Sequence, residues 1–334
     1  MSPKKPSSTA FRSAITAIVV LVLSVTSLAV LQNRQYITDQ LTVWQHAVDE
    51  EVVQLVERGG MNARGKFLYL ASQPVLEGTQ NFNAICRRVE QSTSVLGCYT
   101  DGRVYIYDVT DPRLDGIREV TAIHETLHAA YDRLSESEKK RTDNLLEKEY
   151  QKLITNDELR TRMAFYDRVE PGQRHNELHS IIGTEVADIS DELEEYYTRY
   201  FKDRSKVVAL HNQYSELLAD IASRVSQLAD QLATLSEKIS RESISYNTGI
   251  ELLNADIAAF NARAENGNFS SQAEFNAERN TLIARVNNLT NQRASINQDI
   301  ALYNEILGEY NLVAAEAGEL YKSIDSTLAP APSI

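Results

Sequence analysis

The sequence predicts an α+β protein in three parts: a helix that crosses a membrane, a small domain of a few-stranded sheet plus helices, and a long antiparallel coiled-coil hairpin. Three observations carry that expectation. Ala14 to Leu31 carries no charge and is interrupted only by Thr16, Ser24, Thr26 and Ser27, close to the length that a bilayer core requires. Downstream, to about residue 204, short apolar runs of strand character alternate with stretches of helical period. From about Lys206 the apolar residues recur at spacings of three and four, the mark of a coiled-coil seam. The boundaries that follow are a cytoplasmic N-terminus over 1–13, a transmembrane helix over 14–31, a juxtamembrane helix over 33–58, the sheet-and-helix domain over 62–204, the hairpin over 205–325 and a flexible tail over 326–334.

Each element has its own signal. Lys4, Lys5 and Arg12 precede the apolar run, so the positive-inside rule leaves the N-terminus in the cytoplasm and everything after the helix outside it. A cleaved signal peptide is the rival reading, since Ser27-Leu28-Ala29 loosely fits a cleavage site. Leu41, Trp44, Val48, Val52 and Val56 give the juxtamembrane helix its stripe, and Gly59-Gly60 ends it. Phe67 to Ala71 suits a buried strand, Phe82 to Glu90 a helix, and Gly102 to Val109 an alternating strand that Asp101-Gly102 would pair with Val95 to Tyr99 as a hairpin. Ile117 to Leu134 reads as an amphipathic helix, and Ser135 with Glu138 as the capping box of the next. A further helix covers Asn176 to Ile189, and Ser190 can cap another from Asp191. The heptad seam runs from Tyr214 to Phe260, breaks at Glu265-Asn266-Gly267-Asn268, restarts at Ser271 with Glu274 and returns through Phe275 to Tyr310, a hairpin about 80 Å long.

Composition narrows the partners. With 34 basic and 47 acidic residues the net charge is −13, which argues against nucleic acid, whose affinity comes largely from Lys and Arg. The only cysteines, Cys86 and Cys98, lie in the part expected outside the membrane. There they can form a disulfide worth about 3 kcal/mol or remain as two buried thiols.

The chemistry lies in His124-Glu125-Thr126-Leu127-His128. On a helix the two imidazoles stand one turn apart on one face and can reach one Zn²⁺, while Glu125 approaches the water that the ion activates and serves as general base. Two buried imidazoles beside Val120, Leu127 and Tyr131 need polar partners, and one ion satisfies both. A catalytic zinc takes three protein ligands. The third is sought in Asn176 to Glu185, because Leu134 stands where a third motif histidine would be. On a helical projection Glu185 falls near the centre of the stripe of Leu178, Ile181, Ile182, Val186 and Ile189, with Glu177 and His179 on its flanks. Glu185 therefore ranks first, Glu177 second and His179 third, the others serving as outer partners or substrate contacts. The plain alternatives are a helix-start charge for Glu177 and an ion pair with an arginine for Glu185. An oxyanion donor could come from Tyr131, Tyr166, Tyr196, Tyr197 or His179, and the Gly102 to Val109 strand could be the edge that receives an extended peptide.

The stretch from Phe67 to Arg204 resembles the catalytic domain of gluzincin-type zinc metallopeptidases. The run Val120 to Leu134, followed by Asn176 to Ser180 and Gly183-Thr184-Glu185, is similar to membrane-anchored envelope proteins of bacteria. The resemblance implies zinc binding through His124 and His128 and catalysis by Glu125, and leaves Glu177 and Glu185 open. The expected function is a membrane-anchored peptidase that hydrolyses envelope or extracellular proteins, with homo-oligomers formed through the coiled coil. The alternatives are a structural or adhesive envelope protein with an inactive zincin-like scaffold, and a zinc-dependent cell-wall amidase.

Overall fold

The computed structural model describes residues 8–86, 96–169 and 172–326. The chain opens with α1 (Ser8–Gln32) and α2 (Arg34–Gln45), which meet at a break of 68°. Among the described residues no single helix is long and apolar enough to cross a membrane; Ile18–Gln32 and Arg34–Gln45 together meet the test of length and composition as a bent pair. Next comes α3 (Glu50–Arg58). The continuous helix expected over 33–58 is therefore two: the backbone is extended at His46 and again at Asp49. The break lets α2 pack on the helix that follows α3, while α3 packs on the helix that bears the motif.

The run read as a buried strand, Phe67 to Ala71, is instead the second half of α4 (Ala63–Ala71). Its apolar residues suit either state, and the Asn62 side chain decides by accepting hydrogen bonds from the backbone N–H groups of Arg64 and Gly65. Next come β1 (Val75–Glu77), which has no sequence signal beyond three residues, and α5 (Thr79–Ile85). The expected extension of α5 to Glu90 lies outside the described residues.

The strands β2 (Gly97–Thr100) and β3 (Arg103–Tyr107) form the expected antiparallel hairpin, with Tyr99 opposite Val104. Asp101 and Gly102 both take positive φ, 52° and 76°, as the tight turn demands. Among the described residues the sheet order is β1-β3-β2, with β1 parallel to β3. Cys86, at the end of α5, is disulfide-bonded to Cys98 in β2, and both lie against Phe82 and Tyr105.

The motif helix α6 (Ile117–Asp132) is nearly all buried. It is followed by α7 (Glu136–Leu153), which carries the expected capping box of Ser135 and Glu138. Then come α8 (Asp157–Val169), which has no counterpart in the sequence reading, α9 (Arg174–Glu185) and α10 (Asp191–Tyr197). One apolar core joins Val56 of α3, Leu68 and Tyr69 of α4, Ile106 of β3, Ile123 and Leu127 of α6, Leu178 and Ile182 of α9, and Tyr197 of α10.

Two helices complete the described chain, α11 (Ser205–Glu265) and α12 (Gln272–Ile324). The chain divides into two compact units, Met1–Ser215 with Lys322–Ile334, and Glu216–Tyr321. Within the second unit the contacts between α11 and α12 run in antiparallel order: Arg224 pairs with Glu309, Lys238 with Asp299, and Arg263 with Glu274 and Glu278. Phe260, Phe269 and Phe275 close the turn end, where Gly267 has φ +66°.

Candidate metal centre

The motif residues occupy the face of α6 turned toward α9. His124 and His128 lie one turn apart with ring centroids 4.8 Å from each other. The helix α9 reaches them because Gly183 has no side chain: a Cβ there would stand 2.5 Å from Leu127 Cδ1 and 3.0 Å from Tyr197 Cε1. This close approach brings Glu177, in the first turn of α9, over the two imidazoles. Its Oε2 is 3.8 Å from His124 Nε2 and its Oε1 is 3.6 Å from His128 Nε2. His124, His128 and Glu177 each offer a ligand atom, and all of these lie within 4.8 Å of one another, so the three could hold a metal ion.

The structure brings Glu177 to the two histidines, where the sequence ranking put Glu185 first. Glu185, placed first, accepts hydrogen bonds from Arg162 Nη1 at 2.9 and 3.0 Å through its two oxygens, the ion pair weighed as its plain alternative. Glu177 and Glu185 are eight residues apart, about 12 Å along a helix axis, so one ion cannot take both. A helical projection records angle and discards height, and height decides here. His179, placed third, is fully buried among Tyr131, Tyr196, Tyr197 and Tyr200, with its Nε2 2.9 Å from Tyr196 Oη. Burial drives its pKa down to about 3, so it is a neutral core histidine that buttresses α9.

Donor chemistry and electrostatics fit a divalent cation. The Asn176 side-chain amide donates to Gln173 Oε1, leaving Asn176 Oδ1 as the acceptor 3.0 Å from His128 Nδ1. The proton of His128 is thereby held on Nδ1 and the lone pair of Nε2 faces Glu177, the outer support that metal-ligating histidines require. Burial pushes the Glu177 carboxyl upward, but His128, His124 and a hydrogen bond from Tyr166 outweigh it, and Glu177 stays below the usual carboxylate range. Burial opposes charge on His124, yet the nearby carboxylates, Glu177 first and then Glu125 and Glu185, raise it above an ordinary imidazole. Two nitrogens and one carboxylate, on side chains 19%, 10% and 12% exposed, make a donor set suited to zinc.

Glu125 sits beside this cluster with only 6% of its surface exposed. Burial raises its pKa, tempered by His128 and His124, and the backbone N–H of Tyr99 in β2 donates to it. The neighbouring Gly97, which sequence reading missed, shapes the surroundings of Glu125. A Cβ there would stand 2.6 Å from Thr121 Cγ2 and 2.7 and 2.8 Å from Oε1 and Cγ of Glu125. The available signal was a glycine inside a strand, which marks close approach of another group. Gly97→Ala should displace Glu125 or drive β2 off α6, lowering any hydrolysis that depends on Glu125 by about 100-fold, the cost of roughly 1 Å of misplacement. Metal content should be unchanged, and metal analysis alongside initial rates checks both expectations.

The sheet edge next to the site is β2, since β3 lies between β1 and β2. The strand expected to receive substrate, Gly102 to Val109, is thus the centre of the sheet and has no free edge. Of the tyrosines considered as donors, Tyr166 is bonded to Glu177. Tyr131 donates to Asp143 Oδ1, Tyr197 donates to the carbonyl oxygen of His179, and Tyr196 Oη lies beside His179.

Compared with known proteins, the chain matches no family model, no curated protein and no solved structure.

Proposed function

We propose that this chain is a zinc metallopeptidase of the gluzincin type, anchored in the cytoplasmic membrane with its catalytic and helical regions outside the cytoplasm. The observation that carries the reading is the cluster of His124, His128 and Glu177 with the buried Glu125 and the edge of β2 beside it. When bound, zinc supplies Lewis acidity that polarises a carbonyl oxygen and acidifies water. Glu125 takes the proton of the attacking water and returns it to the leaving nitrogen. Backbone groups on the edge of β2 align an extended peptide. That edge favours a protein substrate over the glycan of a cell-wall amidase, and a general base held beside the metal ligands favours an enzyme over an inactive scaffold.

Anchoring is supported by α1, where Ile18, Leu21, Leu28 and Leu31 are 58–64% exposed and contiguous in one apolar run. We read α11 and α12 of the second unit as a coiled-coil spacer, whose exposed Ile244, Leu252 and Leu312 offer apolar positions for association of copies.

The test is hydrolysis of casein by the full chain reconstituted in phosphatidylcholine vesicles. Treatment with 1,10-phenanthroline should abolish cleavage and one equivalent of zinc should restore it. Cleavage indifferent to the chelator, or no cleavage of any unfolded protein by the zinc-loaded chain, would refute the assignment.

A further inference from the structure

The helix that follows the apolar segment has two unlike faces. On one, Asp39 is 4% exposed and accepts hydrogen bonds from Nε and Nη2 of Arg133, both at 2.9 Å. Arg133 is the C-cap of the motif helix and also donates to Tyr99 Oη of β2 at 3.3 Å. On the opposite face, Ile37, Leu41 and Trp44 follow one another at i, i+4 and i+7 and are 37%, 46% and 86% exposed. A soluble surface has little reason to present an apolar stripe that ends in an almost fully exposed tryptophan, and an aromatic of this kind is favoured at the headgroup level of a bilayer. The stripe is continuous in sequence with the exposed apolar helix α1 and turns from it by 68° at Asn33, as a helix must when it leaves the hydrocarbon and lies along the surface.

We propose that α2 is an interfacial helix whose Ile37, Leu41 and Trp44 insert into the headgroup region of the outer leaflet. The occupant of this face is the lipid surface, because α1, one residue away, enters the same bilayer; the proposal rests on the anchored reading above. Its consequence is mechanical. The Asp39–Arg133 pair ties the inner face of α2 to the end of α6 and to β2, so an α2 lying on the membrane holds the candidate site at a fixed distance from the bilayer.

Trp44 is the single tryptophan of the chain, so its fluorescence reads this position alone. The full chain is reconstituted into phosphatidylcholine vesicles, and their flotation on a density gradient tests the anchor separately. In floated vesicles Trp44 emission should be blue-shifted relative to the chain unfolded in guanidinium chloride. It should be protected from aqueous iodide, and quenched more by lipid brominated near the headgroup than by lipid brominated near the chain end. Leu41→Glu, on the same exposed stripe, should shift the emission to the red and restore iodide access while flotation persists. Floated protein whose Trp44 is open to iodide and untouched by brominated lipid overturns the interfacial helix and leaves the anchor standing. Protection from iodide without quenching by brominated lipid means that protein covers the stripe, and also overturns it. A chain that does not float removes the anchor and this inference together.

Discussion

Glu125→Gln should lower peptide-bond hydrolysis by about 100- to 10,000-fold, the contribution typical of a positioned general base, while zinc content and folding stay as in the wild type. Glutamine fills nearly the same volume and can still accept the hydrogen bond from the Tyr99 backbone N–H, so β2 and α6 keep their contact. The amide cannot take up a proton, and turnover then depends on whatever the bound ion and the substrate edge contribute unaided. Initial rates with a quenched-fluorescence peptide, normalised to zinc per chain, measure this. Equal rates for the two proteins would remove Glu125 from the chemistry and favour the scaffold reading.

The second large effect separates the two glutamates of α9. Glu177→Ala should lower zinc affinity by more than the roughly 10- to 100-fold that loss of an outer partner costs. It leaves His124 and His128 as the only donors of the cluster. The same variant should lose the rise in melting temperature that added zinc gives the wild type, because an ion that binds only the native state stabilises it by mass action. Glu185→Ala breaks the ion pair with Arg162 and should retain stoichiometric zinc with a modest loss of stability. Competition with a chromophoric chelator and thermal unfolding with and without zinc read both variants. Retention of zinc by Glu177→Ala and its loss by Glu185→Ala would restore the ranking drawn from the helical projection.

What the sequence made legible was whatever is encoded locally. His124, Glu125 and His128 are set by a four-residue spacing on one helix, the β2–β3 hairpin by Asp101-Gly102, and the start of α7 by Ser135 and Glu138. The features that escaped depend on distant partners. Phe67 to Ala71 is apolar enough for a strand, and its helical state follows from the Asn62 cap and from packing between α2 and α6. Glu177 becomes the partner of the histidines only because Gly183 admits α9 against Leu127. The roles of Gly97 and Asn176 exist only once β2 and α9 have docked on α6. Asp39 sits in a segment read as an ordinary juxtamembrane helix, and nothing local reveals that its partner is Arg133, 94 residues away.

The account stands on one ion between His124, His128 and Glu177, and zinc K-edge X-ray absorption of the purified full chain tests this most directly. It should give one zinc per chain, a first shell of nitrogen and oxygen at about 2.0–2.1 Å and the outer-shell scattering of two imidazoles, with one oxygen donor lost in Glu177→Ala. Zinc well below one equivalent, or a shell with fewer than two imidazoles, would contradict it.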